Sequence, residues 1–228
     1  KLLQQGGMKT VTIAPEAGSD TLRKRINKHI TNAQILQGVQ ILHDVGISSL
    51  KLYVLIGLPG ETEEDITALI ELVRAICVIG FGKNAIKLSI NPFIPKAHTP
   101  FEIAFENYID PAMLLLKQRI SQIQEAFRGH KQVKVDVLPL WEAYLQFLFA
   151  LGDHTFGDLI IRCYEEGMKQ KKWFTLLTKS KYGFQDGIQA YFSSLTNQSF
   201  GNRPWNVIHQ GSLPSRLQQH WEQAQKQK

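Results

Sequence analysis

Short apolar, β-branched runs alternate with segments of helical periodicity, and this alternation constrains the fold more than any other feature. The runs are TVTIAPE, SLKLYVLIGLPGE, AIKLSINPFIP and VKVDVLPL, and they begin about 35 to 45 residues apart. Parallel strands need connections of a dozen or more residues, usually helical, so this spacing predicts βα units in a parallel sheet. The sequence therefore predicts an α/β fold, as half of a (β/α)₈ barrel or as a small open sheet.

Helix-capping signals mark where the intervening helices begin. Ser19 is a predicted N-cap of a short helix, and Thr31 with Gln34 three residues later forms a capping box. Thr62 precedes an acidic first turn that begins at Glu63, where the helix dipole favours carboxylates. These signals fix the positions of three helices between the predicted strands.

The pattern changes after Leu140, where long aromatic-rich helical segments replace the strand–helix alternation. No further clear strand follows. We predict two domains, a βα domain over residues 1–139 and a helical C-terminal appendage over residues 140–228.

Composition and charge allow a substantial core and point only weakly to a partner. The 228 residues are 43% hydrophobic and 20% charged, which argues against global disorder. The net charge is +6, and the densest basic runs are Arg23 to Arg25 with Lys28, and Lys169 to Lys172. Solvated helix faces are the favoured interpretation of these runs, and a nucleic-acid or phosphate contact is the alternative.

The cysteine count excludes several kinds of site. Cys77 and Cys163 are far apart and form no CxxC pair, so the chain has neither a thiolate metal site nor a disulfide framework. We expect Cys77 to be core packing and the protein to be cytoplasmic. No apolar run is long enough for a membrane span, and KLLQQGG is typical of a helix end, so we expect the chain to begin inside a longer protein.

Functional groups of parallel α/β folds gather where strands end, and Glu16 lies at such an end. A carboxylate flanked by Pro15 and Gly18 either interacts with the following helix N-terminus or points to a ligand. The ligand hypothesis requires groups that donate hydrogen bonds, such as hydroxyls or an ammonium.

The other strand ends give weaker signals. IGLPGE allows close backbone approach but lacks the GxGxxG and P-loop patterns. NPFIPKAHTPF is too rich in proline for a long central strand and carries Asn91, Lys96, His98 and Thr99. His98 has no nearby metal-ligand partner in the sequence, and there is no GxSxG motif for a serine hydrolase.

Three segments in this order resemble one family: TIAPEAGSDTLRKRINKHIT, LKLYVLIGLPGETEEDI and INPFIPKAHTPFE. They are similar to the fourth, fifth and sixth strands of radical S-adenosylmethionine (SAM) enzymes. The group most resembled carries an N-terminal B12-binding-like domain and is described as Fe-S oxidoreductases. LPLWEAYLQFLFALGDHTFGDLI and RPWNVIHQGSLPSRLQQHWEQA resemble the C-terminal region of that group, so the likeness covers most of the chain.

The resemblance implies a partial TIM barrel that holds SAM across its strand ends, with residues 1–139 as the C-terminal half of that barrel. Glu16 matches a carboxylate that contacts the polar part of SAM, and the neighbouring segments match the surroundings of the adenine. The residues that it implies for cofactor binding are Glu16, Ser19, Tyr53, Leu55, Gly57, Leu58, Pro59, Gly60, Asn91, Pro92, Phe93 and Pro95.

One departure from the family pattern is decisive for activity. The CxxxCxxC loop that binds a [4Fe-4S] cluster is absent from this chain. Reductive cleavage of SAM needs that cluster. The resemblance therefore implies the C-terminal part of an enzyme whose cluster is bound by residues outside this chain, and an isolated chain that is inactive.

The resemblance does not identify the substrate and indicates the partners only in general terms. The resemblance implies an enzyme that forms a 5′-deoxyadenosyl radical and acts on an unknown substrate, with cobalamin as a further cofactor if a B12-binding domain is present. The expected partner is the remaining N-terminal part of the same protein, and the uncovered edges of a half barrel favour self-association or a flatter sheet. Two alternatives stay open: a non-catalytic SAM- or partner-binding scaffold, and an RNA-modifying radical enzyme suggested by the positive charge.

Overall fold

A computed structural model provides the coordinates for the described part of the chain. It describes residues 2–109, 113–154, 156–167, 190–195, 197–208, 211 and 213–226.

Four parallel strands form one sheet in the described residues. They are β1 (Thr10–Glu16), β2 (Ser49–Ile56), β3 (Ile86–Pro92) and β4 (Val133–Val137). Their spatial order is the order of the chain, β1-β2-β3-β4, and every neighbouring pair is parallel. This sheet with its helical connections confirms the predicted α/β fold of partial-barrel type.

The helices alternate with the strands and then continue alone toward the C-terminus. They are α1 (Leu2–Gln5), α2 (Asp20–Arg25), α3 (Asn32–Asp44), α4 (Glu63–Val78), α5 (Glu106–Ile109), α6 (Leu114–Ala126), α7 (Leu140–Leu151), α8 (Phe156–Glu165) and α9 (Pro214–Lys226). Residues 190–195 are also helical, and Pro204–Val207 form a 3₁₀ turn. None of the described helices combines the length and apolar character that crossing a bilayer requires.

The predicted caps form as expected. The backbone N–H of Leu22 donates to Ser19 Oγ over 3.0 Å at the start of α2. At α3 the Gln34 N–H donates to Thr31 Oγ1 over 3.2 Å, and the Thr31 N–H donates to the Gln34 side chain over 2.9 Å. Each cap satisfies N–H groups that the first helical turn leaves free, so local sequence sets these boundaries.

The two faces of the sheet differ in polarity. Buried and partly exposed side chains alternate along β2. The buried ones are Leu50, Leu52, Val54 and Ile56, and the partly exposed ones between them are Lys51, Tyr53 and Leu55. The buried set belongs to the core that the helices cover. We call the opposite side, which carries Lys51, the open face.

Compact packing divides the chain into two units. The first contains Lys1–Phe93, Leu114–Leu138 and Gln223–Lys228, and the second contains Ile94–Met113 and Pro139–Glu222. The first unit holds the sheet. The domain boundary predicted near residue 140 stays a prediction.

Aromatic packing forms the core of the second unit. The rings of Tyr108 and Phe147 stack with centroids 4.6 Å apart, and Phe192 lies 4.4 Å from Phe147. A buried ion pair between Arg203 and Glu102 lies in the same unit, and Trp205 Nε1 donates to Glu102 Oε2 over 3.1 Å. Glu102 is therefore bound by two side chains of the same unit.

Candidate functional site

The chain reverses direction sharply at the end of β1. The register of β1 against β2 shifts between Ile13 and Glu16, which marks a bulge. Glu16 has φ 65°, and the Ala17 N–H donates to the Pro15 carbonyl over 2.8 Å. This i→i+2 bond around a residue of positive φ is a strained γ-turn geometry. The bulge and turn aim the Glu16 side chain away from the regular alternation of the strand.

The Glu16 carboxylate is partly exposed and has one cationic neighbour. Its side chain is 26% exposed, and Lys28 Nζ lies 3.0 Å from Oε1. Lys28 Nζ also donates to the Ala14 carbonyl, so the ammonium group is held against the end of β1. Among the described residues, Oε2 of Glu16 has no hydrogen-bond partner. This oxygen can accept a hydrogen bond from a hydroxyl or ammonium group of a ligand.

The side chain of Arg23 stabilises the turn at Glu16 by hydrogen bonds to the backbone that follows it. Its guanidinium is fully buried and donates to the carbonyls of Ala17, over 2.5 Å, and Ile30, over 2.8 Å. It also binds Asp20 and Asn32. The strained turn is therefore supported by a buried cation whose partners are two backbone carbonyls and the side chains of Asp20 and Asn32.

The interpretation of the first basic run as a solvated helix face is therefore wrong for Arg23, Arg25 and Lys28, although Lys24 is exposed. Arg23 is buried, Arg25 Nη1 donates to the Gly60 carbonyl over 2.7 Å, and Lys28 binds Glu16. The cause is the tight packing of α2 between two strand ends, which a helical wheel does not show. These contacts also remove the support that these cations gave to nucleic-acid binding, and the Lys169 to Lys172 run lies outside the described residues.

An apolar cluster lies beside Glu16 at the same edge of the sheet. Ala17, Leu22 and Leu58 are buried there, and Ile26, Leu55 and Phe93 pack against them while staying partly exposed. Three residues predicted for cofactor binding, Leu55, Leu58 and Phe93, thus come together from the ends of β2 and β3. The partly exposed side chains can pack against a planar apolar ring, while Leu58 can only form the floor of such a site.

The loop after β2 has the conformation that its glycines predict. Gly57 has φ 86° and Gly60 has φ 73°, which favour glycine at both positions. A Cβ atom on Gly60 would lie 1.8 Å from Arg25 Nη1, which reaches the carbonyls of this loop. Gly60 is thus required for contact with Arg25 as well as for its turn.

The buried side chain of Glu61 accepts a hydrogen bond from the first residue of this loop. The Gly57 N–H donates to Glu61 Oε2 over 2.7 Å, and Arg119 Nη1 lies 2.9 Å from the same oxygen. Arg119 Nη2 also donates to the Glu61 carbonyl over 2.7 Å. Burial raises the pKa of Glu61 to about 7, although the Gly57 N–H and Arg119 oppose that rise. Glu61 thus has a structural role, in contrast to Glu16.

The remaining predicted residues have different surroundings. Ser19 caps α2 and donates to Asp65, so its hydroxyl is already used. Tyr53 and Asn91 lie on the open face, where Tyr53 accepts a hydrogen bond from Lys51 and Asn91 is opposite Leu55.

The prolines predicted for this site are buried. Pro92 ends β3 opposite Ile56, and Pro59 lies in the loop after β2. Pro95 is buried in the second unit.

A cleft lies beside the loop after β2. Its volume is about 420 Å³. Its walls come from α2, the start of α4 and the end of α9, and they are Thr21, Leu22, Arg25, Gly60, Thr62, Asp65 and Gln225. Only Gly60 of the predicted cofactor residues lines it, so the cleft and the Glu16 edge are neighbouring but distinct surfaces of the first unit.

A metal cluster has no ligands in the described part of the chain. No group of three His, Cys, Asp or Glu side chains there is placed to hold a metal ion. Cys77 and Cys163 are both buried, and burial raises the pKa of each thiol, in Cys163 to about 11. These thiols do not fit an iron–sulfur cluster, which needs several accessible thiolates.

Sequence reasoning missed the cations that organise the site. Lys28 lies 12 residues from Glu16, and Arg119 lies 58 residues from Glu61. No local spacing rule pairs residues at such separations. A possible signal is Arg119 itself, because a charged residue among the apolar residues of α6 must find a buried partner.

Comparison with known proteins gives a family match to the first part of the chain and a similar curated protein. Residues 1–73 match the radical SAM superfamily. An uncharacterized protein of Methanocaldococcus jannaschii is 35% identical over 152 residues, which cover 67% of this chain and 32% of that protein. The chain thus spans about a third of the length of that relative. No solved structure matches the chain.

Proposed function

We propose that this chain belongs to the radical SAM superfamily, which residues 1–73 match, and that the carboxyl ends of β1, β2 and β3 bind S-adenosylmethionine. The observation that carries the proposal is the Glu16 turn. A strained backbone, a partly exposed carboxylate and an adjoining apolar cluster meet at one edge of the sheet. Strain of this kind persists where the surrounding structure maintains it, and it concentrates at functional sites.

The chemistry of the edge fits the two ends of the cofactor. Glu16 Oε2 accepts hydrogen bonds from the hydroxyl or ammonium groups of SAM, and Lys28 holds the carboxylate in place through Oε1. Leu55 and Phe93 contact the adenine ring above the floor formed by Leu58. The Gly57 to Gly60 segment brings backbone groups close to the same ring.

The chemistry of the family needs an iron–sulfur cluster that this chain does not hold. We propose that its cysteines lie in a part of the protein outside this chain. SAM supplies a 5′-deoxyadenosyl group for radical chemistry when such a cluster reduces it. The residues described here bind and orient the nucleoside and exclude water from its apolar side.

Equilibrium dialysis with labelled SAM tests the proposal on this chain. We expect saturable binding that Glu16→Ala weakens at least tenfold, because a hydrogen bond to a charged group contributes about 1.5–3 kcal/mol. Glu71→Ala removes an exposed carboxylate of α4 and is the matched control. Gly57→Val blocks the adenine region and should also reduce binding.

Two outcomes would contradict the assignment. One is the absence of saturable SAM binding by the chain. The other is equal affinity in Glu16→Ala and in the unchanged protein, with folding verified by circular dichroism.

A non-catalytic scaffold is the second candidate, and the observation that favours it is the lack of a cysteine triad in the sequence. Both candidates predict SAM binding. They differ in whether the longer protein, purified without oxygen, contains an iron–sulfur cluster and cleaves SAM under reducing conditions. Cleavage without any cluster would contradict both.

A further inference from the structure

Three lysines lie side by side on the open face of the sheet. In the strand register Lys51 is opposite Lys87, and Lys87 is opposite Lys134. Neighbouring strands lie about 4.8 Å apart, so this row places three ammonium stems within about 10 Å. We call these residues the lysine row.

Contacts around the lysine row show that its charges share one region of space. Lys87 Nζ lies 2.9 Å from Asp136 Oδ2. The hydrogen bond from Lys87 lowers the pKa of Asp136, and the charges of Lys87, Lys134 and Lys51 add to this effect. Lys51 instead donates to the Tyr53 hydroxyl, and its ammonium lies 4.3 Å from the centre of that ring.

The charge of this region is not balanced by the described side chains. Asp136 compensates one lysine, and no other carboxylate in the described residues forms an ion pair with Lys51 or Lys134. The local excess is therefore two positive charges. Like charges on directly opposed residues of adjacent strands destabilise a sheet, so the charges of Lys51 and Lys134, unlike that of Lys87, do not stabilise the fold.

The other side chains of the open face are suited to a polar ligand. Ser89 lies between Tyr53 and Asp136 in the next row but is only 6% exposed, and the partly exposed Asn91 lies one row further on, opposite Leu55. The lysine row is four residues, or about 13 Å, from Leu55 along β2. One molecule of moderate length can therefore contact the lysine row and extend toward the end of β2.

We propose that the lysine row binds the anionic group, a phosphate or a carboxylate, of a small-molecule substrate. The substrate extends along the open face toward the edge that carries Glu16. This inference rests on the proposed function, because it assigns the substrate of the same radical SAM site. Lys51 and Lys134 bind the anion directly, and Lys87 stays paired with Asp136.

Titration calorimetry of this chain with two probes tests the inference. Inorganic pyrophosphate and succinate at equal ionic strength represent the phosphate and the carboxylate. We expect one of them to bind at a single site, and Lys51→Gln and Lys134→Gln each to weaken that binding at least fivefold. Lys83→Gln, which removes an exposed lysine before β3, is the control and should leave binding unchanged. The preferred probe identifies the anionic group.

Three results would overturn the inference. The first is that neither probe binds. The second is that the Lys51→Gln and Lys134→Gln variants bind the probe as tightly as the unchanged chain. The third is a lower melting temperature in both variants, which would show that the row stabilises the fold. We expect instead an unchanged or higher melting temperature at low salt, because each substitution relieves repulsion.

SAM binding distinguishes failure of this inference from failure of the proposed function. Lys51→Gln should retain the SAM affinity of the unchanged chain. SAM binding without anion binding would refute only the lysine row as a substrate site. Anion binding at the row without SAM binding would refute the proposed function, and the row would then lose its assignment as part of a SAM enzyme.

Discussion

Two glutamates lie at the ends of consecutive strands of this sheet, yet their surroundings are opposite. Glu16 is the last residue of β1, has a strained backbone and is 26% exposed. Glu61 follows β2 after a glycine loop and is 2% exposed, with Arg119 against its carboxylate. Both loops are anchored by a buried arginine. The difference is that Arg23 binds backbone oxygens and the side chains of Asp20 and Asn32 but not Glu16, whereas Arg119 binds the glutamate itself.

This difference decides which carboxylate is free for a ligand. Arg23 fixes the backbone around Glu16 and leaves the carboxylate to a partly exposed lysine. Arg119 and the Gly57 N–H occupy the carboxylate of Glu61. A strand-end acidic residue is therefore a binding candidate only when the cation that anchors its loop has other partners.

Removing Arg119, the cation that binds Glu61, should give the largest loss of stability among these predictions. Arg119→Met leaves Glu61 buried without its cation, and loss of one partner of a buried pair costs about 3–5 kcal/mol. Urea unfolding followed by circular dichroism at pH 8 measures the change. Arg128→Met removes an exposed arginine whose ion pair with Glu125 should contribute less than about 1 kcal/mol. Equal losses in the two variants would contradict a structural role of Glu61.

The pH dependence of folding stability tests the burial of the Glu61 carboxyl group. Its pKa is about 7 in the folded protein and near 4.5 in the unfolded chain, so the folded state binds the proton more tightly. The stabilisation from this group is complete below about pH 4.5 and is lost as the pH rises to about 7.

We therefore expect the free energy of unfolding to fall more steeply between pH 4.5 and 7 in the unchanged protein than in Glu61→Gln. Urea titrations at several pH values measure both slopes. Parallel pH profiles would show that burial does not raise the pKa of Glu61.

The smallest expected effect concerns the backbone of Glu16. Glu16→Gly and Glu16→Ala both remove the carboxylate, but only glycine adopts φ 65° without strain. Glu16→Gly should therefore be more stable than Glu16→Ala by about 1 kcal/mol, while both lose SAM affinity. Differential scanning calorimetry of the pair isolates the backbone contribution. Identical stabilities would mean that the turn relaxes once the carboxylate is gone.

Much of this fold can be predicted from the sequence, because helix caps and apolar periodicity depend on residues close together in the chain. The capping box of Thr31 and the apolar period of α4 both act within a few residues, so the helices begin and pack where the pattern indicates. The prolines after Asn91 end β3 at Pro92, as a residue without an N–H donor requires.

The candidate site is less predictable because its support is not local. The position of Glu16 at a strand end follows from sequence, but its positive φ depends on Arg23 and on the bulge in β1. The lysine row is visible only once the register is known. A slip of one residue in β4 would move Lys134 to the other face of the sheet.

The lysine row also bears on self-association. Two copies meeting through their open faces would bring six ammonium groups into a space that excludes water, and the repulsion would rise as the dielectric falls. The row thus acts against stacking of the sheet on itself. We expect any pairing of copies through this unit to use β1 and β4, the edge strands of the described sheet, where backbone hydrogen bonding can extend it.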